Sequence, residues 1–159
     1  MYGDEVPLFL VRHAKAGSRS TWIGDDAVRP LTDAGHAQAV AIAERLLPFA
    51  PVALWTSPYL RCVQTLEPLA ERTGLELVVD GRLAEETPLE RSLAAIEDAP
   101  DGTVMCSHGD VIPDIVDGLV RRGMTLDPSM RPPRKGSVIV LHHVNKLFTR
   151  AEYWERPLL

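Results

Sequence analysis

Short apolar runs alternate with longer stretches of helical spacing along most of this chain. The series opens at Leu8-Phe9-Leu10-Val11, apolar at every position, as a strand covered on both faces reads. Thr32 is placed to cap a helix in which Ala39, Ile42, Ala43 and Leu46 share one face before Pro48 stops it. Val52 to Thr56 reads as a second strand. Ser57 is then expected as the N-cap of a second helix, with Pro58 at its first position, Pro68 kinking it and Gly74 closing it. Leu75 to Val79 is a third strand. Thr87-Pro88-Leu89-Glu90 has the form of a capping box and predicts a helix through about Asp98.

Thr103 to Ser107 forms the fourth apolar run. The helix after it carries Ile112, Ile115, Val116, Leu119 and Val120 on one stripe and ends in the basic turn Arg121-Arg122-Gly123. Met124 to Lys135 is rich in proline and basic residues and reads as a surface loop. Gly136 to Leu141 is a fifth strand. Past a turn at Asn145-Lys146, Leu147 to Tyr153 predicts a final antiparallel strand.

Strands alternating with helices define an α/β, three-layer architecture: a mainly parallel central sheet flanked by helices, with an antiparallel strand near the C-terminus. At 159 residues, 1–159 is expected to form one domain. In open α/β sheets ligands gather beyond the carboxyl ends of the strands. Arg12 and His13 follow the first strand, Arg61 opens the helix after the second, and His108 follows the fourth. Each taken alone has an ordinary structural reading as a strand end or a loop residue. Together, two arginines and two histidines around one point would be a costly concentration of positive charge unless an anion occupies it. Arg61 sharpens the case, because a cation in the first turn opposes the helix dipole while an anion there is favoured. A phosphoryl group suits the planar, bidentate donation that arginine offers.

Composition narrows the partners. The net charge of −5 argues against a nucleic-acid partner held by bulk electrostatics, so any basic surface must be local. No apolar run approaches the length that spans a bilayer, and Met1-Tyr2-Gly3-Asp4-Glu5 is acidic where a signal peptide is basic, so a cytoplasmic protein without a membrane partner is expected. Cys62 and Cys106 lack metal or redox spacing and read as buried small hydrophobes. His142 and His143 end a strand with no carboxylate or cysteine beside them in sequence and read as structural. No metal or other cofactor is implied.

Four ordered motifs add to this reading. Leu10-Val11-Arg12-His13-Ala14 is the first, and Arg29-Pro30-Leu31-Thr32 with Gly35, Gln38 and Ala39 the second. Ser57-Pro58 with Arg61, Cys62, Gln64 and Thr65 is the third, and Ser107-His108-Gly109 the fourth. In this order they resemble the signatures of the histidine phosphatase superfamily, the phosphoglycerate-mutase-like group. The chain departs from the hallmark at Ala14, where that group usually has glycine, as short members also do. It is similar to the small bacterial phosphohistidine phosphatases and to the phosphatase-like domain of two-domain Nudix hydrolases. The resemblance implies His13 as the nucleophile, with Arg12, Arg61 and His108 on the phosphoryl oxygens. The family's Leu-x-Glu pattern falls on Leu83-Ala84-Glu85, which implies Glu85, rather than Glu86, as the acid that protonates the leaving group.

The substrate is expected to be a small phosphorylated molecule, with a phosphohistidine protein as the alternative and a non-catalytic phosphate-binding module as a third reading. Lys15, Ser18 and Arg19 stand in the loop after the first strand, either as a plain connection or as candidate substrate contacts. With Arg131, Arg134 and Lys135 from the late loop they suggest further phosphates beyond the one cleaved, as in a nucleoside di- or polyphosphate, and Trp22 is open to two readings, stacking on a base or packing as a lid. The plain alternative is that these cations only solubilise the surface.

Overall fold

Residues 6–158 are described by the computed structural model. The order is β1 (Leu8–Arg12), α1 (Asp33–Leu46), β2 (Ala53–Thr56), α2 (Leu60–Thr73), β3 (Leu77–Val79), α3 (Leu89–Asp98), β4 (Thr103–Ser107), α4 (Val111–Arg121), β5 (Thr125–Leu126), β6 (Val138–Val144) and β7 (Leu147–Trp154). All strands join one sheet in the order β3-β2-β4-β1-β6-β7-β5. β3, β2, β4 and β1 run parallel, while β6 runs opposite to both of its neighbours. β6 and β7 are joined through Asn145 and Lys146, both at positive φ (50° and 65°), as a tight two-residue hairpin turn requires.

Alternation along β1 builds the layers. Leu8 and Leu10 face a cluster containing Leu93 and Ile96 of α3 and Ile112 and Ile115 of α4. Phe9 and Val11 face Ile42 and Leu46 of α1 and Leu66 and Leu69 of α2. Side chains of opposite parity point to opposite faces of a strand, so an unbroken apolar run feeds two cores at once. This is the three-layer arrangement that the alternation predicts, and the phosphoglycerate-mutase-like one that the resemblance implies. Among the described residues no helix is long and apolar enough to cross a membrane.

Several local expectations change. Thr32 does cap α1, accepting from Gly35 N at 3.1 Å, and Gly74 closes α2 at φ 73°. Ser57 does not cap α2: the helix starts later, its N-cap is Tyr59 with no side-chain cap bond, and the Ser57 hydroxyl meets His108 instead. The capping box at Thr87 is not formed either, because Thr87 Oγ1 donates back to Ala84 O at 2.7 Å and α3 begins at Leu89. Both hydroxyls found partners outside the helix, which local pattern does not reveal. α2 continues through Pro68. The late loop contributes the two-residue β5, which is too short to leave a pattern in sequence.

Candidate active site

β1 and β4 lie side by side and parallel, with Arg12 level with Ser107. His13 and His108 each follow one residue later, so the register alone brings the two imidazoles together, with ring centroids 5.5 Å apart. β2 flanks β4 on the other side, and the chain leaving it passes Ser57 into α2 and delivers Arg61. The site therefore forms where three adjacent parallel strands end on one rim.

His13 is 5 % exposed, and its Nδ1 lies 2.8 Å from Ala14 O. A carbonyl only accepts, so Nδ1 carries the proton and Nε2 keeps its lone pair. Burial, reinforced by His108, Arg61 and Arg12 and opposed by the Ala14 carbonyl, pushes the imidazole pKa down to about 3. The ring is neutral at physiological pH.

Arg61 is fully buried. Its Nη1 donates to Asp26 O at 2.9 Å, and its Nη2 donates to Asp26 Oδ2 at 3.1 Å and to Glu85 Oε1 at 2.7 Å. Arg12 donates from Nη1 to Pro133 O at 2.7 Å. A Cβ on Gly109 would come within 2.6 Å of Arg12 Cζ, so the glycine makes room for this guanidinium. His108 Nε2 shares a hydrogen with Ser57 Oγ at 2.8 Å and stands 3.5 Å from Cys62 Sγ. Its Nδ1 is 3.4 Å from Glu85 Oε1, near enough for attraction but making no hydrogen bond. Among the described residues, the buried side-chain nitrogens and oxygens without a hydrogen-bond partner are Arg12 Nε, Arg61 Nε and His108 Nδ1. Buried polar atoms without partners are rare and costly.

A cleft of about 750 Å³ opens over His13. Five cations line it (Arg12, Lys15, Arg19, Arg29, Lys135) against three carboxylates (Glu85, Glu86, Asp110), in a chain whose net charge is −5. Burial, and then the proximity of four arginines, holds Lys135 below the usual lysine range. Such a concentration of positive charge favours anionic ligands.

The motif residues without chemistry shape the loop after β1. Thr65 Oγ1 accepts from Ala14 N at 2.9 Å, Gln38 Oε1 from Lys15 N at 2.9 Å, and Gln64 Oε1 from Leu31 N at 2.8 Å. The loop is thereby pinned by α1 and α2.

The structure brings together Arg12, His13, Arg61, His108 and Glu85, and adds Lys15, Ser18 and Arg19 to the cleft wall. Of the late basic loop only Lys135 lines the cleft; Arg131 turns to the Pro128 and Met130 carbonyls. Glu86 also lines the cleft, at φ 64°, with its N donating to Asp110 Oδ2. Trp22 is not in the cleft wall and donates to Asp25 O at 2.9 Å. His142 and His143 lie outside the site, yet carboxylates do stand beside them: Glu152 at 2.6 Å and Asp101 at 3.5 Å. Those partners come from other strands and loops, beyond the reach of neighbours in sequence. Cys62 and Cys106 are buried, and Cys62 also touches the site through His108. The sequence reading missed Asp26 and Ser57 as neighbours of the site, and Asp110 in its wall. Asp26 carries no motif of its own, although its place just ahead of Arg29-Pro30-Leu31-Thr32 is a weak signal. Among the described residues no group of three or more His, Cys, Asp or Glu is placed to hold a metal ion.

This fold, with two histidines and two arginines on one rim, defines the class. The model of the histidine phosphatase superfamily (branch 1) matches residues 8–87. A relative from Mycolicibacterium smegmatis, an 8-oxo-(d)GTP phosphatase, is 33% identical over 160 residues, covering 97% of this chain and 49% of the relative. The chain belongs to the histidine phosphatase superfamily, and it spans about half the length of that relative. The protein histidine phosphatase SixA, solved with tungstate, has the same fold at a TM-score of 0.72, with 20% identity over 94% of this chain and 95% of that one. So does a mycobacterial glucosyl-3-phosphoglycerate phosphatase solved with VO3, at TM-score 0.72 and 20% identity over 96% of this chain and 100% of the other.

Proposed function

We propose that residues 1–159 form one histidine phosphatase domain that hydrolyses a small phosphorylated substrate through a phosphohistidine on His13. The observation that carries this reading is that Arg12, Arg61 and His108, each with a buried side-chain nitrogen lacking a hydrogen-bond partner, stand around a neutral His13. Nε2 of His13 attacks phosphorus while the bond to the leaving oxygen breaks, and Glu85 supplies the proton that oxygen needs. Water then attacks the phosphohistidine, the phosphorus–nitrogen bond breaks, and Glu85 takes the proton of the water. Charge spread over the equatorial oxygens is met by fixed donors of Arg12, Arg61 and His108. These groups complement the charge without a metal, so turnover in excess chelator is expected to match that in buffer.

Substrates with more than one phosphate fit best, and nucleotides are the leading class. Lys15, Arg19, Arg29 and Lys135 widen the positive surface beyond what one phosphoryl group engages, and the 33% identical relative is a nucleotide phosphatase. A parallel assay of nucleoside di- and triphosphates, p-nitrophenyl phosphate and a phosphohistidine protein tests this. Lys15→Ala with Arg19→Ala is expected to raise KM for a nucleoside diphosphate far more than for p-nitrophenyl phosphate. Equal effects, or fastest turnover of the phosphohistidine protein, would move the assignment to the protein substrate.

A further inference from the structure

We propose that Asp26 is a positioning residue that sets the orientation in which Arg61 receives the phosphoryl group. It stands in the short 3-10 turn Asp26–Val28 between β1 and α1, far in sequence from the arginine it serves. Asp26 grips Arg61 twice, through its backbone carbonyl on Nη1 at 2.9 Å and through Oδ2 on Nη2 at 3.1 Å. Its other oxygen, Oδ1, accepts from Nε of Arg29 at 2.9 Å, and Arg29 itself donates to Gly17 O. Asp25 steadies the turn from outside, with Oδ1 accepting from Ala27 N at 2.9 Å. One carboxylate thus ties the loop after β1 to the fully buried guanidinium at the start of α2.

The physical need is clear from the side chain. An arginine reaches its target on a long, rotatable stem, and bidentate binding of an oxyanion depends on the plane of the guanidinium. Asp26 sets acceptors on two different nitrogens, where Glu85 reaches only Nη2, so Asp26 fixes that plane and Nε is left without a partner. Burial works against ionisation of Asp26, but Arg29 and Arg61 outweigh it and hold the carboxyl below its usual range. The carboxylate is therefore charged wherever the enzyme works. A negative charge this close to the phosphoryl site weakens anion binding by Coulomb repulsion alone. Positioning and bare charge consequently predict opposite signs when Asp26 is neutralised.

The inference rests on the reading of Arg61 as a phosphate-binding residue, and the experiment separates the two. In the full chain, Asp26→Asn and Asp26→Glu are compared with wild type for inhibition by inorganic phosphate and for turnover of p-nitrophenyl and phenyl phosphate. Asp26→Asn is expected to weaken phosphate inhibition about tenfold and to lower kcat by a similar factor for both leaving groups. Asp26→Glu keeps the charge but shifts the oxygens by a methylene, so it is expected to bind phosphate several-fold more weakly than wild type, and it decides alone if the asparagine variant does not fold. Phosphate inhibition that is unchanged or tighter in the variants overturns the positioning role. Wild-type protein that neither turns over phosphate esters nor is inhibited by phosphate overturns the functional reading beneath it.

Discussion

Glu85 Oε1 lies 2.7 Å from Arg61 Nη2, and the same oxygen is 2.8 Å from Arg19 Nη2 and 3.4 Å from His108 Nδ1. One carboxylate oxygen is thus shared by Arg61 and Arg19, with His108 beside it but not hydrogen-bonded. On the proposed reading, incoming phosphoryl oxygens would displace Glu85 from Arg61, and the released carboxylate would take up from solvent the proton that it then gives to the leaving oxygen. Arg19, 66% exposed, is free to follow the carboxylate or the substrate.

Glu85→Gln separates these two roles. With phenyl phosphate, kcat is expected to fall by about 10²- to 10⁴-fold, and by less with p-nitrophenyl phosphate, whose leaving group needs no proton. Inhibition by inorganic phosphate is expected to tighten, because the competing negative charge is gone. A loss independent of the leaving group, or an equal loss in Glu86→Gln, assigns the acid elsewhere.

His13→Ala is expected to lower kcat by at least about 10³-fold, as removal of a covalent nucleophile does. Rapid mixing with labelled substrate and denaturation in alkali should trap an acid-labile phosphoryl group in wild type and none in the variant. Near wild-type turnover without His13 would remove it as the nucleophile.

Gly109→Ala probes the seat of Arg12. The new methyl would press on a guanidinium tied to Pro133 O, so Arg12 must shift. A displacement approaching 1 Å at a catalytic group costs about 10²-fold in kcat/KM. Kinetics with p-nitrophenyl phosphate measure it, and a circular-dichroism melt shows whether the fold is kept. Unchanged kinetics would mean that the Arg12 position is not critical.

Stability should depend on pH through His13. Its folded pKa of about 3 lies below the unfolded value near 6.5, so between these pH values the unfolded state binds the extra proton. The contribution of the neutral imidazole is complete above about pH 6.5 and is lost as pH falls towards about 3, at up to about 1.4 kcal/mol per pH unit. Urea titrations across this range should show a weaker pH dependence in His13→Gln than in wild type. Identical slopes would mean that the imidazole is not held neutral by its burial.

The sequence by itself determined the layers and four members of the site. Apolar runs of strand length alternating with helical stripes admit a mainly parallel sheet, and parallel strands send their carboxyl ends to one rim. Arg12, His13 and His108 follow strands directly, and Arg61 lies only five residues beyond Thr56, the last of β2, so strand order was enough to group them. Short motifs with chemical side chains are visible because their spacing is local.

Tertiary structure decided the rest, because the deciding contacts join residues far apart in sequence. Ser57 has the pattern of an N-cap, yet its hydroxyl serves His108, 51 residues away. The Leu-x-Glu pattern singles out Glu85 over Glu86, but only the fold shows what each meets: one lies on Arg61, and the backbone N of the other, at positive φ, donates to Asp110. Arg131 and Lys135 share a loop and a charge, but the direction of the chain leaving β5 sends only Lys135 into the cleft. Asp26 has no period, motif or charge pattern to mark it, and its part is defined wholly by the two arginines that meet it in space. Periodicity reports which face of an element is buried; it carries no information about which polar groups are matched across elements, and that matching is where this site acquires its charge balance.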